Sequence, residues 1–215
     1  MMVKTDTASQ IAEYLLAIKA IKLQPTNPFT WASGWKSPIY CDNRISLSYP
    51  QIRTFIRNAL SESIRNNYSD VQLIAGVATA AIPQGALVAE HLNLPFAYVR
   101  SSPKDHGREN LIEGETKAGQ KVVVIEDLVS TGKSSLKAVE ALREAGCIVV
   151  GLICVFNYGF VQAEKNFEDA KCPLISLCSY DNLLQIALDS NYIKKTELET
   201  LEAWRKTPDS WNQGQ

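Results

Sequence analysis

The chain has 215 residues, of which 46% are hydrophobic and 21% charged, and its formal net charge is −1. These values are typical of a globular protein with a sizeable core, and the near-neutral charge gives no electrostatic basis for binding nucleic acid or an anionic membrane. Since no Pro/Gly/Ser-rich linker divides the chain, we predict a single domain over residues 1–215.

The sequence also indicates in which cellular compartment to expect the protein. The N-terminus is amphipathic and carries Asp6 and Glu13, so we expect no signal peptide, and no run approaches the ~18 apolar residues of a membrane span. The cysteines form no CxxC pair, and their odd number argues against a disulfide framework; they are Cys41, Cys147, Cys154, Cys172 and Cys178. We therefore expect a protein of the reducing cytoplasm.

The first predicted element is a helix from about Ser9 to Lys22, because Ile11, Leu15 and Ile18 recur on one face. The segment that follows, residues 29–44, is broken by glycine and proline and is dense in aromatic and polar groups. We predict a small hairpin-like hood that holds a flat ring by stacking, with polar atoms at its edge. A packed surface hairpin is an equally good interpretation of this composition.

Residues 50–66 predict a helix and residues 71–76 a buried strand. The small residues 76–81 then lead into a helix that runs to about His91. Such a loop lets the backbone approach a pyrophosphate, although tight packing of helix on strand explains it equally well. Residues 94–100 predict another short strand.

A long polar stretch, residues 100–115, has almost no core residues. Loops of this length in compact domains are usually functional or disordered. It contains four cations or donors, Arg100, Lys104, His106 and Arg108. We interpret it as a mobile lid that brings positive charge onto a leaving group, and a solvated loop is the alternative.

The stretch Val122 to Ser135 carries the strongest functional signal. Its β-branched start, Val122 to Ile125, predicts a strand buried on both faces, and Glu126 and Asp127 follow it directly. The small loop 130–134 then precedes a helix and is suited to hold a phosphate, which leaves the two carboxylates for sugar hydroxyls or a metal. A Walker A loop would need glycine where this chain has Asp127; an ordinary strand-to-helix turn remains the alternative.

The rest of the chain continues the alternation of strands and helices. Residues 148–157 predict a long strand, with residues 157–159 at its carboxyl end. A helix from Val161, a strand over 174–177 and helices over 182–189 and 196–205 follow, and we expect Trp204 and Trp211 to pack on the body without a chemical role. The pattern predicts an α/β fold with a mostly parallel sheet.

These residues carry a family resemblance. The sequence VVVIEDLVSTGKSS is similar to the motif with which type I phosphoribosyltransferases bind phosphoribosyl diphosphate (PRPP). The resemblance implies the type I phosphoribosyltransferase fold, in which helices flank a mostly parallel central sheet and residues up to about 45 form a small N-terminal hood. The PRPP site that it implies consists of Arg100, Lys104, His106, Glu126, Asp127, Leu128, Val129, Ser130, Thr131, Gly132, Lys133 and Ser134.

Two further segments resemble the orotate phosphoribosyltransferases in particular. They are Phe29-Thr30, Ser33-Gly34 and Lys36-Ser37-Pro38 in the hood, and Lys104-Asp105-His106-Gly107 with Ile112-Glu113-Gly114 in the lid. The likeness implies transfer of the 5-phosphoribosyl group from PRPP to orotate, giving orotidine 5′-monophosphate and pyrophosphate in pyrimidine biosynthesis. It implies an orotate site at Lys36, Tyr40, Cys41, Ser130 and Tyr158.

The same likeness implies that Lys104, His106 and Asp127 are catalytic. It implies Mg²⁺ held mainly through PRPP, with Glu126 and Asp127 nearby, and a homodimer in which the loop Arg100–Glu115 reaches the neighbouring active site. Neither nucleic acid nor a membrane is expected as a partner.

The chain also departs from the family. Well-known members carry lysine where this chain has Ala32, Ala80 and Ser101, and an arginine that grips the orotate carboxylate is replaced by Tyr158. Two alternatives therefore stay open: a phosphoribosyltransferase for another nucleobase, and a PRPP-sensing regulator of the same fold. The near-neutral charge argues against the regulator, which would need a basic surface for nucleic acid.

Overall fold

The computed structural model describes residues 6–31, 33–102 and 111–211. Its strands are β1 (Ile21–Leu23), β2 (Phe29–Thr30), β3 (Lys36–Ser37), β4 (Ile39–Cys41), β5 (Leu73–Val77), β6 (Phe96–Val99), β7 (Ile112–Glu113), β8 (Lys121–Val129), β9 (Ile148–Asn157) and β10 (Leu174–Ser179). Its α-helices are α1 (Thr7–Ala17), α2 (Pro50–Asn67), α3 (Ile82–Leu92), α4 (Lys133–Glu144), α5 (Val161–Asp169), α6 (Tyr180–Asp189) and α7 (Lys195–Lys206). A 3-10 helix spans Asn43–Ser48.

The centre of the fold is a six-stranded sheet with the order β10-β9-β8-β5-β6-β7. All neighbours are parallel except β7, which pairs antiparallel with β6 at the edge. Val122 to Ile125 in β8 are each 0% exposed. Since successive side chains point to opposite faces, helices must cover both faces of the sheet. The predicted α/β fold with a mostly parallel sheet is confirmed.

Strand β8 is longer than the sequence predicted. We expected it to end at Ile125, but Leu128 and Val129 still pair with Phe156 and Asn157 of β9. Glu126 and Asp127 therefore lie within the strand, and their side chains point to opposite faces of the sheet. Strand β9 extends far enough to pair with these last residues of β8. The short apolar run of β8 did not reveal the extension, because it depends on this distant partner.

The hood is built from two short antiparallel pairs, β1 with β4 and β2 with β3. Our prediction that the first helix continues to Lys22 is wrong. Helix α1 ends at Ala17, Lys19 has a left-handed backbone with φ of 58°, and Ile21 to Leu23 pair with β4 instead. In this segment, pairing with β4 outweighed the helical spacing of the apolar residues.

Two residues of the predicted lid belong to the sheet. Ile112 and Glu113, which we placed in a loop over 100–115, form β7 against Val99 and Tyr98. Residues 103–110, which include the predicted catalytic Lys104 and His106, lie outside the described residues. In the described part of the chain, none of the helices is both long enough and apolar enough to cross a membrane.

The turn that joins β8 to α4 yields a stability prediction. Gly132 has φ of +76°, and a Cβ placed there would lie 2.6 Å from Cε2 of the buried Phe167. We expect Gly132→Ala to lower the free energy of unfolding by about 1–2 kcal/mol through the left-handed backbone and by a further ~1–3 kcal/mol through overpacking. Urea denaturation measures both together.

Gly119→Ala is the matched control, because Gly119 has a similar φ of +80° but nothing within 4 Å of an added Cβ. The difference between the two variants isolates the contact with Phe167. Equal losses of stability would contradict the overpacking argument.

Candidate active site

Four segments meet at one edge of the sheet, where β5, β6, β8 and β9 have their carboxyl ends. They are the loop 78–81, Arg100, the loop 130–132 and residues 157–159. These strands are neighbours in the sheet, so the segments lie side by side. The carboxyl edge is where open α/β sheets bind ligands.

The two carboxylates at the end of β8 have different surroundings. Glu126 is 5% exposed; its Oε2 accepts a hydrogen bond from Ser135 Oγ at 2.8 Å, and its Oε1 accepts one from Asp127 N at 3.1 Å. Burial, helped by the neighbouring charge of Asp127, raises the pKa of Glu126 well above its usual range. Glu126 is thus held at the start of α4, and Asp127, which is half-buried, lies on the opposite face of the strand.

Asp127 is tied to the hood by a residue that the sequence analysis did not single out. Asn43 is 4% exposed; its Nδ2 donates to the Asp127 carbonyl oxygen at 2.7 Å, and its Oδ1 accepts from Cys41 Sγ at 3.3 Å. Burial raises the pKa of Asp127, whereas the charge of Arg44 acts in the opposite direction. Arg44 itself is paired with Asp42, with Nε and Oδ1 separated by 2.7 Å.

The predicted phosphate loop has the geometry of an anion cradle. Helix α4 begins at Lys133, directly after Gly132, and no side chain caps its N-terminus. The first N–H groups of such a helix have no intrahelical partner, and together with the helix dipole they attract an anion. Lys133 and Ser134 lie exposed in the first turn. Asn166 fixes the loop, because its Nδ2 donates to the Thr131 carbonyl oxygen at 2.8 Å. The sequence analysis did not single out this residue either.

A cavity of about 270 Å³ lies between the hood and the carboxyl edge. It is lined by Thr30, Trp31, Tyr40, Cys41, Leu128, Ser130 and Tyr158, which include four of the five residues predicted to bind orotate. The centroids of the Trp31 and Tyr158 rings are 5.3 Å apart. An aromatic wall with a few polar atoms suits a flat heterocycle.

The fifth predicted residue, Lys36, is not among the lining residues. Its Nζ donates to Thr30 Oγ1 at 3.0 Å, so the ammonium group is linked to the cavity through a side chain that lines it. Tyr158 is uncharged and does not supply the positive charge of an arginine. It is 2% exposed, and burial raises the pKa of its hydroxyl well above the usual range. Its ring stacks on Phe160 at 5.4 Å and 7°.

The neighbouring loops are compact. At the end of β5 the Ala78–Thr79 peptide bond is cis, and a Cβ on Gly76 would lie 2.9 Å from the Ala81 carbonyl oxygen. The side chains of the loop 78–81 are three alanines and one threonine, so its backbone can approach a ligand closely. Arg100, at the end of β6, is paired with Glu113 of β7, with Nη1 and Oε1 separated by 3.5 Å.

Within residues 6–31, 33–102 and 111–211, no group of three or more His, Cys, Asp or Glu side chains is placed to hold a metal ion. Asp127, half-buried at the ligand edge, nevertheless fits Mg²⁺ that arrives with a substrate, whereas Glu126 is buried on the opposite face of the strand. Mg²⁺ commonly binds through one or two carboxylates and the phosphates of its substrate.

The chain is similar to known proteins over nearly its whole length. Residues 47–187 match the family model of the phosphoribosyl transferase domain. An orotate phosphoribosyltransferase of Bacteroides fragilis is 60% identical over 203 residues, which cover 94% of this chain and 96% of that protein. One of Listeria monocytogenes is 52% identical over 202 residues, covering 94% and 97%. The crystal structure of orotate phosphoribosyltransferase from Aeropyrum pernix matches with a TM-score of 0.74 at 27% identity, covering 86% of this chain and 99% of that one.

The buried carboxyl group of Glu126 predicts a pH effect on stability. Its pKa is raised in the folded state, so folding takes up a proton and the free energy of unfolding falls as the pH rises between the unfolded and folded pKa values. Glu126→Gln removes this titration. We expect the free energy of unfolding of the variant, relative to the wild type, to grow with pH by up to about 1.4 kcal/mol per pH unit in that window.

Chemical denaturation between about pH 5 and about pH 8 checks this expectation. Glu144→Gln, at an exposed position of α4, is the control. A pH-independent difference for Glu126→Gln would show that the buried carboxyl titrates as it does in the unfolded chain.

Proposed function

The chain belongs to the phosphoribosyltransferase family and, within it, to the orotate phosphoribosyltransferases; on this premise we propose how its residues join PRPP and orotate. The enzyme acts in pyrimidine biosynthesis and forms orotidine 5′-monophosphate and pyrophosphate. One observation carries the proposal: Leu128 and Ser130, which line the aromatic cavity, belong to the same segment as the uncapped start of α4. A base and a sugar phosphate would thus lie next to each other.

In this proposal the 5′-phosphate lies in the loop 130–134, where it accepts hydrogen bonds from the first N–H groups of α4 and from Ser130, Thr131 and Ser134. Lys133 adds a positive charge nearby. Leu128 and Val129 shape the strand end that leads into this loop. The ribose hydroxyls lie at Asp127, and Glu126 supports that end of the strand through Ser135. Asn43, in the hood, donates to the Asp127 carbonyl oxygen and so attaches this end of the strand to the hood.

The pyrimidine lies in the aromatic cavity. Gln24 N donates to the Pro38 carbonyl oxygen, and Asp42 N donates to that of Ala20. Because hydrogen-bonded pairs alternate in an antiparallel ladder, the peptide groups of Cys41 point away from β1, and we assign them to the edge of the base. Tyr40, Ser130 and Tyr158 complete the walls, and Lys36, held at Thr30, is the cation that we assign to the carboxylate of orotate.

The reaction breaks the bond between C1 of the ribose and the pyrophosphate and forms one between C1 and N1 of orotate. Positive charge develops on the ribose, and the carboxylate of Asp127 stabilises it. Negative charge develops on the pyrophosphate, which Arg100, Lys104 and His106 stabilise. Orotate N1 loses its proton readily, so no strong base is needed.

Asp127 is the carboxylate that would lie next to Mg²⁺ held by PRPP, and Glu126 would lie near it on the other, buried face of the strand. When bound, the ion supplies further neutralisation of the pyrophosphate charge. The backbone of the loop 78–81 faces the same group in our proposal. By closing over it, the lid would also keep water from hydrolysing PRPP.

We further propose a cytoplasmic homodimer in which the loop Arg100–Glu115 completes the active site of the neighbouring subunit. The five cysteines are all free, which supports a reducing compartment. One apolar core extends from Ile11 to Trp204, which supports a single domain.

Orotate consumption with PRPP and Mg²⁺, followed by ultraviolet absorbance, tests the proposed function. We expect turnover by the wild type and a loss of at least about 10²-fold in kcat for Lys104→Ala, because one charge on the developing pyrophosphate is removed. Lys117→Ala is the control, since this exposed lysine precedes β8 at the opposite edge of the sheet. Turnover of hypoxanthine or adenine but not orotate would overturn the proposal in favour of another nucleobase.

Subunit complementation tests the shared active site. Lys104→Ala and Asp127→Asn should each be nearly inactive alone. In an equal mixture that is unfolded and refolded together, half of the dimers combine both variants, and each has one site with both residues intact. We expect about a quarter of the wild-type activity to return, whereas no recovery would show that the lid acts within its own subunit.

A further inference from the structure

Two indole groups hold the hood from different parts of the chain. Trp31 Nε1 donates to the Ile39 carbonyl oxygen at 3.1 Å, and Trp204 Nε1 donates to that of Lys36 at 3.2 Å. These two carbonyl groups bracket Ser37 and Pro38, which precede the strand that lines the cavity. Trp31 belongs to the hood itself, but Trp204 lies on α7, 168 residues after its partner.

Trp204 does not line the cavity, yet it contacts two residues that do. Its ring meets Trp31 at 5.6 Å and 78° and Tyr158 at 5.6 Å and 76°, both edge-to-face. These contacts hold two adjacent rings of the aromatic wall, whose centroids are 5.3 Å apart. Because Trp204 is 0% exposed, it has little freedom to move without them.

The same residue bears on the cation that we assign to orotate. The hydrogen bond from Trp204 fixes the main chain at Lys36, whose Nζ reaches Thr30 Oγ1 at 3.0 Å. Thr30 lines the cavity. The indole N–H of Trp204 thus supports the strand that carries the ammonium group, and its ring supports the wall.

We propose that Trp204 is a positioning residue for the pyrimidine: through Lys36, Trp31 and Tyr158 it sets the shape of the base cavity. This inference rests on the proposed function, because it assigns the base to that cavity. A role limited to anchoring α7 on the body is the structural alternative. Tyr180 makes a comparable anchor, since its hydroxyl donates to the Leu201 carbonyl oxygen at 3.2 Å, but that bond does not reach the hood.

Trp204→Phe and Tyr180→Phe form a matched pair. Each keeps an aromatic ring and removes one hydrogen bond between α7 and the rest of the protein. We expect Trp204→Phe to raise KM for orotate about five- to tenfold, the effect of one such bond, and to leave KM for PRPP within about twofold. Tyr180→Phe should leave both KM values within about twofold. Equal changes in the pair, or equal changes in both KM values, would overturn the inference.

A measurement on the wild type covers the case in which Trp204→Phe fails to fold. The chain has four tryptophans, so ¹⁵N labelling gives four indole N–H signals in NMR spectra. Saturation with orotidine 5′-monophosphate should shift the signals of Trp31 and Trp204 and leave that of Trp211 in place. An unmoved Trp204 signal at saturation would overturn the inference.

The two proposals fail in different ways. Absence of orotate turnover by the wild type would overturn the proposed function, and the inference would fall with it. Normal turnover by the wild type, with matching behaviour of the two variants, would overturn the inference alone.

Discussion

The burial of β8 on both faces is the constraint on which the rest of the structure depends. Val122 to Ile125 have no exposed surface, and the strand pairs with β5 on one side and with β9 on the other. This pairing places two carboxylates at the boundary between the dry core and the ligand edge. Buried polar groups at such a boundary need partners. Ser135 of α4 donates to the Glu126 carboxyl group, and Asn43 of the hood donates to the main-chain carbonyl oxygen of Asp127.

The proposed site divides its tasks between two kinds of surface. In our proposal, backbone N–H groups and the start of α4 bind the phosphate, for which charge and N–H geometry matter more than the identity of side chains. The aromatic rings are assigned to the base, for which shape matters more. Asp127 lies between these two surfaces, and Asn43 connects it to the wall of the cavity through Cys41. A shift of the hood would therefore reach the residue to which we assign the ribose.

Short stretches of sequence predicted the parts of this enzyme that depend on residues close together in the chain. The apolar run before Glu126, the small loop before α4 and the aromatic hood were all visible in the sequence, and they identified the fold and most of the cavity. The remaining features depend on distant partners. The bond from Asn43 to Asp127 spans 84 residues and that from Trp204 to Lys36 spans 168, so no window of sequence reveals either. The end of α1 was missed for the same reason, since β4 had to be in place before Ile21 could prefer a strand.

The contact between Trp204 and the hood also has a consequence for the synthesis and folding of the protein chain itself. A ribosome makes Lys36 long before it makes Trp204, and a domain generally folds as a unit. The hood therefore cannot acquire its full set of contacts until α7 has been synthesised. A chain that ended before Trp204 would contain every strand of the sheet and the loop 130–134, but its hood would lack the hydrogen bond to the Lys36 carbonyl oxygen.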